Sequence, residues 1–226
     1  MRRVIDAVFY RKDNGCKWRA LPNDFPNWQT VYSYFRQWKL GGTWQRLHDR
    51  LRAQLRQQQG RHQHPTAAII DSQSVKTTHL GGVRGFDNGK KVKGRKRHLL
   101  VDTEGLLLRV KVTGAEISDQ AGALLLLARW NGACKKIRRI WADGTYRGSL
   151  LTTLALSLHI VWQVVLRPEQ AKGFILLARR WVIERTFGWF NHARCLSKDY
   201  ERLTESSEAW IYITMTHLML RRLVPA

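Results

Sequence analysis

Over the first 57 positions, apolar residues recur at helical spacing. Val4, Val8 and Phe9 form one apolar face, Val31, Tyr34, Phe35 and Trp38 a second, and Trp44, Leu47, Leu51 and Leu55 a third. Asn27 stands where it would cap the second helix. The polar run Gln57-Gln58-Gln59-Gly60 ends this pattern, and residues 58–65 read as a linker. From Thr66 the texture changes to short apolar runs. Residues 66–71 predict a strand, and residues 99–102 and 106–113 predict a hairpin around Thr103-Glu104-Gly105. Further strands are expected at 137–142 and at 160–166, the latter stopped by Pro168. Helices are expected from a Ser118 cap through Trp130, and over 148–158, 176–196 and 204–222. This order predicts an α/β protein: an α+β mixed sheet with helices packed on it, preceded by a small helical region.

One stretch tempts a different reading. Residues 148–166 carry no formal charge, which invites comparison with a membrane span. Ser149, Thr152, Thr153, Ser157, His159 and Gln163 interrupt it, and its period changes midway. It reads as a helix running into a buried strand.

Charge narrows the partner. Lys and Arg number 39 against 17 Asp and Glu, a net charge of +22. Such an excess makes nucleic acid the expected partner. An anionic membrane is the competitor, but the basic residues are spread along the chain and no basic amphipathic helix stands apart. Asp6 interrupts the apolar start after Arg2-Arg3, so no signal peptide is read. Cys16, Cys134 and Cys195 are odd in number and widely spaced, which fits a reducing cytosol better than a disulfide framework or zinc knuckle. His62 and His64 lack partners at ligand spacing. The expected location is the cytoplasm.

Three acids stand out against this basic background. Asp71 closes Ala67-Ala68-Ile69-Ile70, Asp143 closes Ile140-Trp141-Ala142 before Gly144, and Glu184 lies mid-helix in Trp181-Val182-Ile183-Glu184-Arg185. Taken singly, each has an ordinary explanation: a turn or cap for the aspartates, a solvated helix face for the glutamate. Together, on adjacent strand ends and a late helix, they suit two Mg²⁺ ions roughly 4 Å apart beside a polyanion. Ribonuclease-H-like domains have this strand order and this placement of acids. Asp102, Glu104, Glu116 and Asp119 are decoys, Asp119 most simply opening a helix after Ser118.

The helix around Glu184 divides into faces. Ile183, Phe187 and Phe190 should turn to the core, while Arg180, Glu184, Gly188 and Asn191 share a polar face. Gly188 leaves a bare position one turn beyond the acid, suited either to close approach of DNA or to close helix packing. Residues 84–98 hold seven basic residues and one acid. They read as a loop over the site, gripping phosphates through Lys90, Lys91, Lys93, Arg95, Lys96 and Arg97 without reading sequence.

With these residues assembled, the chain resembles bacterial insertion-sequence transposases of the IS5 group, within the IS4-like DDE class. The resemblance rests on Ile70-Asp71-Ser72-Gln73-Ser74-Val75-Lys76, on residues 89–102, on Ala142-Asp143-Gly144-Thr145-Tyr146-Arg147-Gly148 and on residues 180–189. Gly15-Cys16-Lys17-Trp18-Arg19-Ala20-Leu21-Pro22 and Trp28-Gln29-Thr30-Val31-Tyr32 also look like that family's helical N-terminal region.

The resemblance implies a catalytic and metal-binding triad of Asp71, Asp143 and Glu184 on a ribonuclease-H-like domain over residues 66–226. It implies Mg²⁺, with Mn²⁺ as substitute, and cutting and joining of element ends. Arg180 matches the Arg of the class's Tyr-Arg-Glu-Lys signature. The Tyr position falls on Leu177 and the Lys position on Asn191, with Arg194 or Lys198 as replacement cations. Arg147 and Arg185, within the matching stretches, join the expected DNA contacts. The implied partners are double-stranded DNA, as terminal inverted repeats and target, and a second copy of the chain on that DNA, at the bacterial nucleoid. Family members usually carry residues ahead of the segment opening at Met1, so residues 1–57 are expected to be a shortened DNA-binding region. The competing expectations are a catalytically inactive, DNA-binding remnant and a plain ribonuclease-H-type nuclease.

Overall fold

The computed structural model describes residues 1–128, 130, 132–166 and 179–224. Its contacts divide the chain into two units. One comprises Met1–Gln63, Lys76–Val83 and Trp189–Ala226, and the other His64–Val75 and Arg84–Gly188.

The first unit is helical. α1 (Arg2–Asn14), α2 (Trp28–Leu40) and α3 (Thr43–Gln58) form where the apolar spacing predicts them. The Asn27 side chain accepts from Gln29 N at 2.9 Å, so the expected cap is present. The C-terminal helix of the chain, Thr204–Leu223, packs on all three. Its Trp210, Ile211, Ile213, Met215 and Met219 are buried, leaving too much apolar surface for one neighbour to cover. Phe35 stacks on Trp210 with ring centroids 4.7 Å apart. One boundary between the units, after Gln63, falls within residues 58–65, and the helical unit also takes in Lys76–Val83 and Trp189–Ala226.

The second unit is built on a six-stranded sheet. Its strands are β1 (Ala67–Lys76), β2 (Gly85–Asp87), β3 (Val92–Asp102), β4 (Leu107–Gly114), β5 (Arg139–Ala142) and β6 (Val161–Val164). The order is β2-β3-β1-β5-β6, with β4 also paired to β3. β4 and β2 run antiparallel to β3, whereas β1, β5 and β6 run parallel. The path β4-β3-β1-β5-β6 is the mixed sheet of a ribonuclease-H-like fold. α4 (Asp119–Leu127) and α5 (Ser149–Ser157) accompany the sheet, and Ala68, Ile70, Leu100, Leu126, Ile140, Ala142 and Leu151 share one core cluster. Ser118 Oγ accepts from Ala121 N at 3.2 Å, capping α4 as expected. α6 (Arg180–Phe190) completes the set, and Thr204–Leu223 is α7.

Several expectations need correction. β1 runs five residues past Asp71, because Ser72, Gln73 and Ser74 find side-chain partners and remain in the sheet. Residues 84–98 are not a loop: β2 and β3 form a hairpin there, turning where Asp87 Oδ1 accepts from Lys90 N at 3.0 Å. Among the described residues β6 is an edge strand with Val161 exposed, not a buried one, because only β5 pairs with it there. α6 ends at Phe190 rather than at 196; Ala193 is extended and a separate short turn follows over Arg194–Leu196. The expected start of that helix and Pro168 lie outside the described residues. Among the described residues, no helix is long and apolar enough to cross a membrane.

Candidate active site

Strand alternation places the first two acids. Ala68, Ile70, Ile140 and Ala142 point into the core cluster, so Ile69, Asp71, Trp141 and Asp143 take the opposite face. Parallel pairing of Ala67 with Arg139 and Ile69 with Trp141, continued two residues, brings Asp71 level with Asp143. α6 is fastened to this second face. The Arg179 guanidinium lies 4.1 Å over the Trp141 ring, and Thr186 Oγ1 donates to the Gly105 carbonyl at 2.9 Å. Arg185 Nη2 donates to the neighbouring Glu104 carbonyl at 2.9 Å. With Ile183 and Phe187 buried as expected, Arg180 and Glu184 meet the two aspartates.

The three acids surround one guanidinium. Arg180 Nη2 lies 3.8 Å from Asp71 Oδ2, 3.5 Å from Asp143 Oδ2 and 3.9 Å from Glu184 Oε1. Asp143 Oδ1 also accepts from Thr145 N at 2.8 Å, capping the short turn that follows β5 while Oδ2 faces Arg180. Asp71 Oδ1 accepts from Ser72 N at 2.7 Å. Burial pushes the Asp71 carboxyl up to about 6, and the nearby Asp143 charge adds to this; the Ser72 amide, Arg180 and Lys90 oppose it. Glu184 is half exposed, leaving one side of the cluster open to solvent.

The donor set fits a hard divalent cation. All three acids offer oxygen, the ligand Mg²⁺ and Mn²⁺ prefer. Among the described residues they do not close into a ready-made metal cluster. Instead a side-chain cation stands at the point where their oxygens converge, and that convergence is the observation that makes the fit.

Residues 62–219 match the family described as "Transposase DDE domain". This chain belongs to the DDE transposases. Residues 1–48 match a second family, "Putative transposase of IS4/5 family", which puts this DDE transposase in the IS4/5 group. A Burkholderia cepacia protein named "Putative transposase for insertion sequence element IS402" is 28% identical over 125 residues. That match covers 52% of this chain and 59% of the relative, less than two thirds of its length.

The expected DNA contacts of this transposase chain separate into two groups. Lys90, Lys91, Lys93, Arg147 and Arg185 are exposed in the sheet unit, while Arg180 is partly buried among the acids. Lys90 Nζ also reaches the Ser72 carbonyl at 3.1 Å. Arg95, Lys96 and Arg97 are buried in β3, so the reading of these three as loop residues gripping phosphates is corrected. Arg97 Nη1 lies 3.3 Å from Gln73 Oε1, and Lys96 is held by two carboxylates. Arg194 and Lys198 are exposed residues of the helical unit, as is Asn191, while Leu177 lies outside the described residues. Gly188 has no described atom within 4 Å of where a Cβ would stand, so close helix packing does not explain it.

Sequence reasoning missed the layer of charge on the other side of β1. Ser72 Oγ donates to Asp119 Oδ1 at 2.6 Å, and Ser74 Oγ to Asp87 Oδ2 at 2.5 Å. Lys96 Nζ lies 3.3 Å from Asp119 Oδ1 and 3.4 Å from Asp87 Oδ2. Asp119 thus does more than open α4. The signal was the period of two: Ser72 and Ser74 continue the face of Ala68 and Ile70, where buried hydroxyls need partners.

Proposed function

We propose that this chain is a DNA transposase in which Asp71, Asp143 and Glu184 hold divalent metal for cutting and joining the ends of an insertion element. The observation that carries the reading is the convergence of three carboxylates, from β1, the end of β5 and α6, on one cationic point. Mg²⁺ is the expected ion, with Mn²⁺ as substitute, and a bound pair would supply activation of water or a 3′-hydroxyl and neutralisation of the leaving oxygen.

The chain's own residues set up that chemistry. β1 carries Asp71 and β5 leads directly into Asp143, so paired strands hold the two aspartates side by side, and α6 brings Glu184 to them. Arg180 offsets part of the cluster's negative charge and presents a planar donor group suited to a phosphate. Lys90, Lys91, Lys93, Arg147 and Arg185 supply exposed positive charge in the same unit, and Arg194 and Lys198 supply it in the helical one. The substrates are double-stranded terminal inverted repeats and target DNA. A homodimer follows from the need to hold two element ends, and the setting is the bacterial cytoplasm, at the nucleoid.

The test is an in vitro joining assay with precleaved element ends and a target plasmid. Joining of 3′-ends that requires Mg²⁺ or Mn²⁺ and stops on chelation is the expected result. Metal-independent joining, or cleavage of RNA–DNA hybrids with no joining, would refute the proposal.

A further inference from the structure

The helical unit holds a second feature that the catalytic acids do not use. A cleft of about 580 Å³ is lined by Trp18, Trp28, Tyr32, Phe35 and Tyr200, with Lys17, Arg36, Lys39 and Arg202 among its cations. Tyr32 and Tyr200 are exposed, and Trp18 and Trp28 only half-buried, so these rings are not closed into a core. Their positions are nonetheless fixed. The Trp18 ring stands 5.3 Å from Tyr32 and 5.2 Å from Phe35, and Phe35 stacks on buried Trp210.

Arg11 supplies the second, independent observation. Its guanidinium lies 4.3 Å from the Trp18 ring centre and 4.5 Å from that of Trp210. Arg11 is only 9% exposed and lines the cleft, yet its Nε and Nη1 have no hydrogen-bond partner among the described residues. Buried donors of this kind ordinarily have partners, so these two leave unused donor capacity at the wall of the cleft. Glu201 is the one acid in the lining. Its Oε1 accepts from Arg11 Nη2 at 3.3 Å and from Trp210 Nε1 at 2.9 Å, so its charge is balanced internally.

We infer that this cleft binds single-stranded DNA, with unpaired bases stacked on the rings and phosphates drawn to the cations. The inference takes DNA as the partner from the reading above and adds the strand state that the helical unit selects. Arg11 covers one face of Trp18 and Arg19 one face of Trp28, while Tyr32 and Tyr200 are exposed. Exposed rings beside a positive groove are the chemistry of single-strand binding, tolerant of sequence because every base has a π-face. Bases inside a duplex already stack on one another and do not offer their faces to Tyr32.

The test uses the full chain and fluorescence anisotropy of a labelled oligodeoxythymidine, a blunt mixed-sequence duplex and the matching oligouridine. Tyr32→Ala should weaken single-strand binding at least fivefold, the ratio that about 1 kcal/mol of lost stacking gives, while Tyr32→Phe keeps it. Duplex affinity should not move. Arg36→Gln, an exposed helical position, should reduce the salt slope for the single strand by about 0.7. Equal losses on single strand and duplex, or tighter binding of the oligouridine, would overturn the inference. Duplex binding with an unmoved single-strand affinity in Tyr32→Ala overturns this inference alone. Absence of all DNA binding by the wild-type chain overturns the functional reading with it.

Discussion

Two groups of charged residues lie on opposite faces of β1 and behave oppositely. On one face Asp71, Asp143 and Glu184 share a single guanidinium, at 3.5 Å or more from each. On the other, Lys96 is pinned between Asp87 and Asp119, with Ser72 and Ser74 donating to the same two acids. The carboxyl of Asp71 is pushed up by burial, whereas hydrogen bonds and Lys96 outweigh burial and hold Asp87 down at about 2 and Asp119 below its usual range. The residue types are alike; satisfaction differs. A buried charge cluster with full hydrogen bonding acts as structure, and one left short of positive charge is poised for a ligand.

The comparison breaks most sharply in activity. Asp71→Asn, Asp143→Asn or Glu184→Gln should each reduce joining to background in the strand-transfer assay while leaving duplex affinity near wild type. Retained joining in any one would remove that residue from the site. By contrast, Lys96→Met should strike stability, costing about 3 kcal/mol in urea unfolding because buried Asp87 and partly buried Asp119 lose their cation. A loss under 1 kcal/mol would show that the inner network is not the structural half of the pair.

The pH dependence of stability separates the groups by sign. With chelator present, Asp71 holds its proton up to about 6 in the folded state, against 3.8 ordinarily. The folded state therefore binds the extra proton, and stability should fall by up to about 3 kcal/mol as pH rises from about 4 to 6, then level off. Asp71→Asn should abolish that fall. Asp87 has the opposite sign: its contribution is present above its usual range and lost as pH falls toward about 2. Urea unfolding across this range reads both. The smallest effect is at Gly188, where no described atom crowds an added Cβ. Gly188→Ala should raise stability by about 1 kcal/mol, and a concurrent loss of joining would assign the bare position to DNA approach.

Much of this was legible in the sequence because it rests on periodicity. The helical faces of α1 to α3, the apolar strand segments leading to Asp71 and Asp143, and the buried face of α6 all follow from apolar spacing. What was not legible rests on polar residues that fold as if apolar. Arg95, Lys96, Arg97 and His98 spell a solvated loop, yet β3 buries all four. Lys96 is accommodated by acids from β2 and the start of α4, which no local pattern reveals. His98 fits because Gly122 leaves room: a Cβ there would meet its ring at 2.1 Å. The place of α7 beside α1, α2 and α3 was hidden for the same reason, since it depends on contacts distant in sequence.

The most direct test of the central claim is Mn²⁺ binding by electron paramagnetic resonance, in complex with a precleaved end duplex. Wild-type chain should take up roughly two ions, as a two-metal site requires, and Asp71→Asn and Asp143→Asn should lose that uptake while still binding DNA. Equal Mn²⁺ uptake by the wild type and both variants would contradict the assignment of these carboxylates as the metal site.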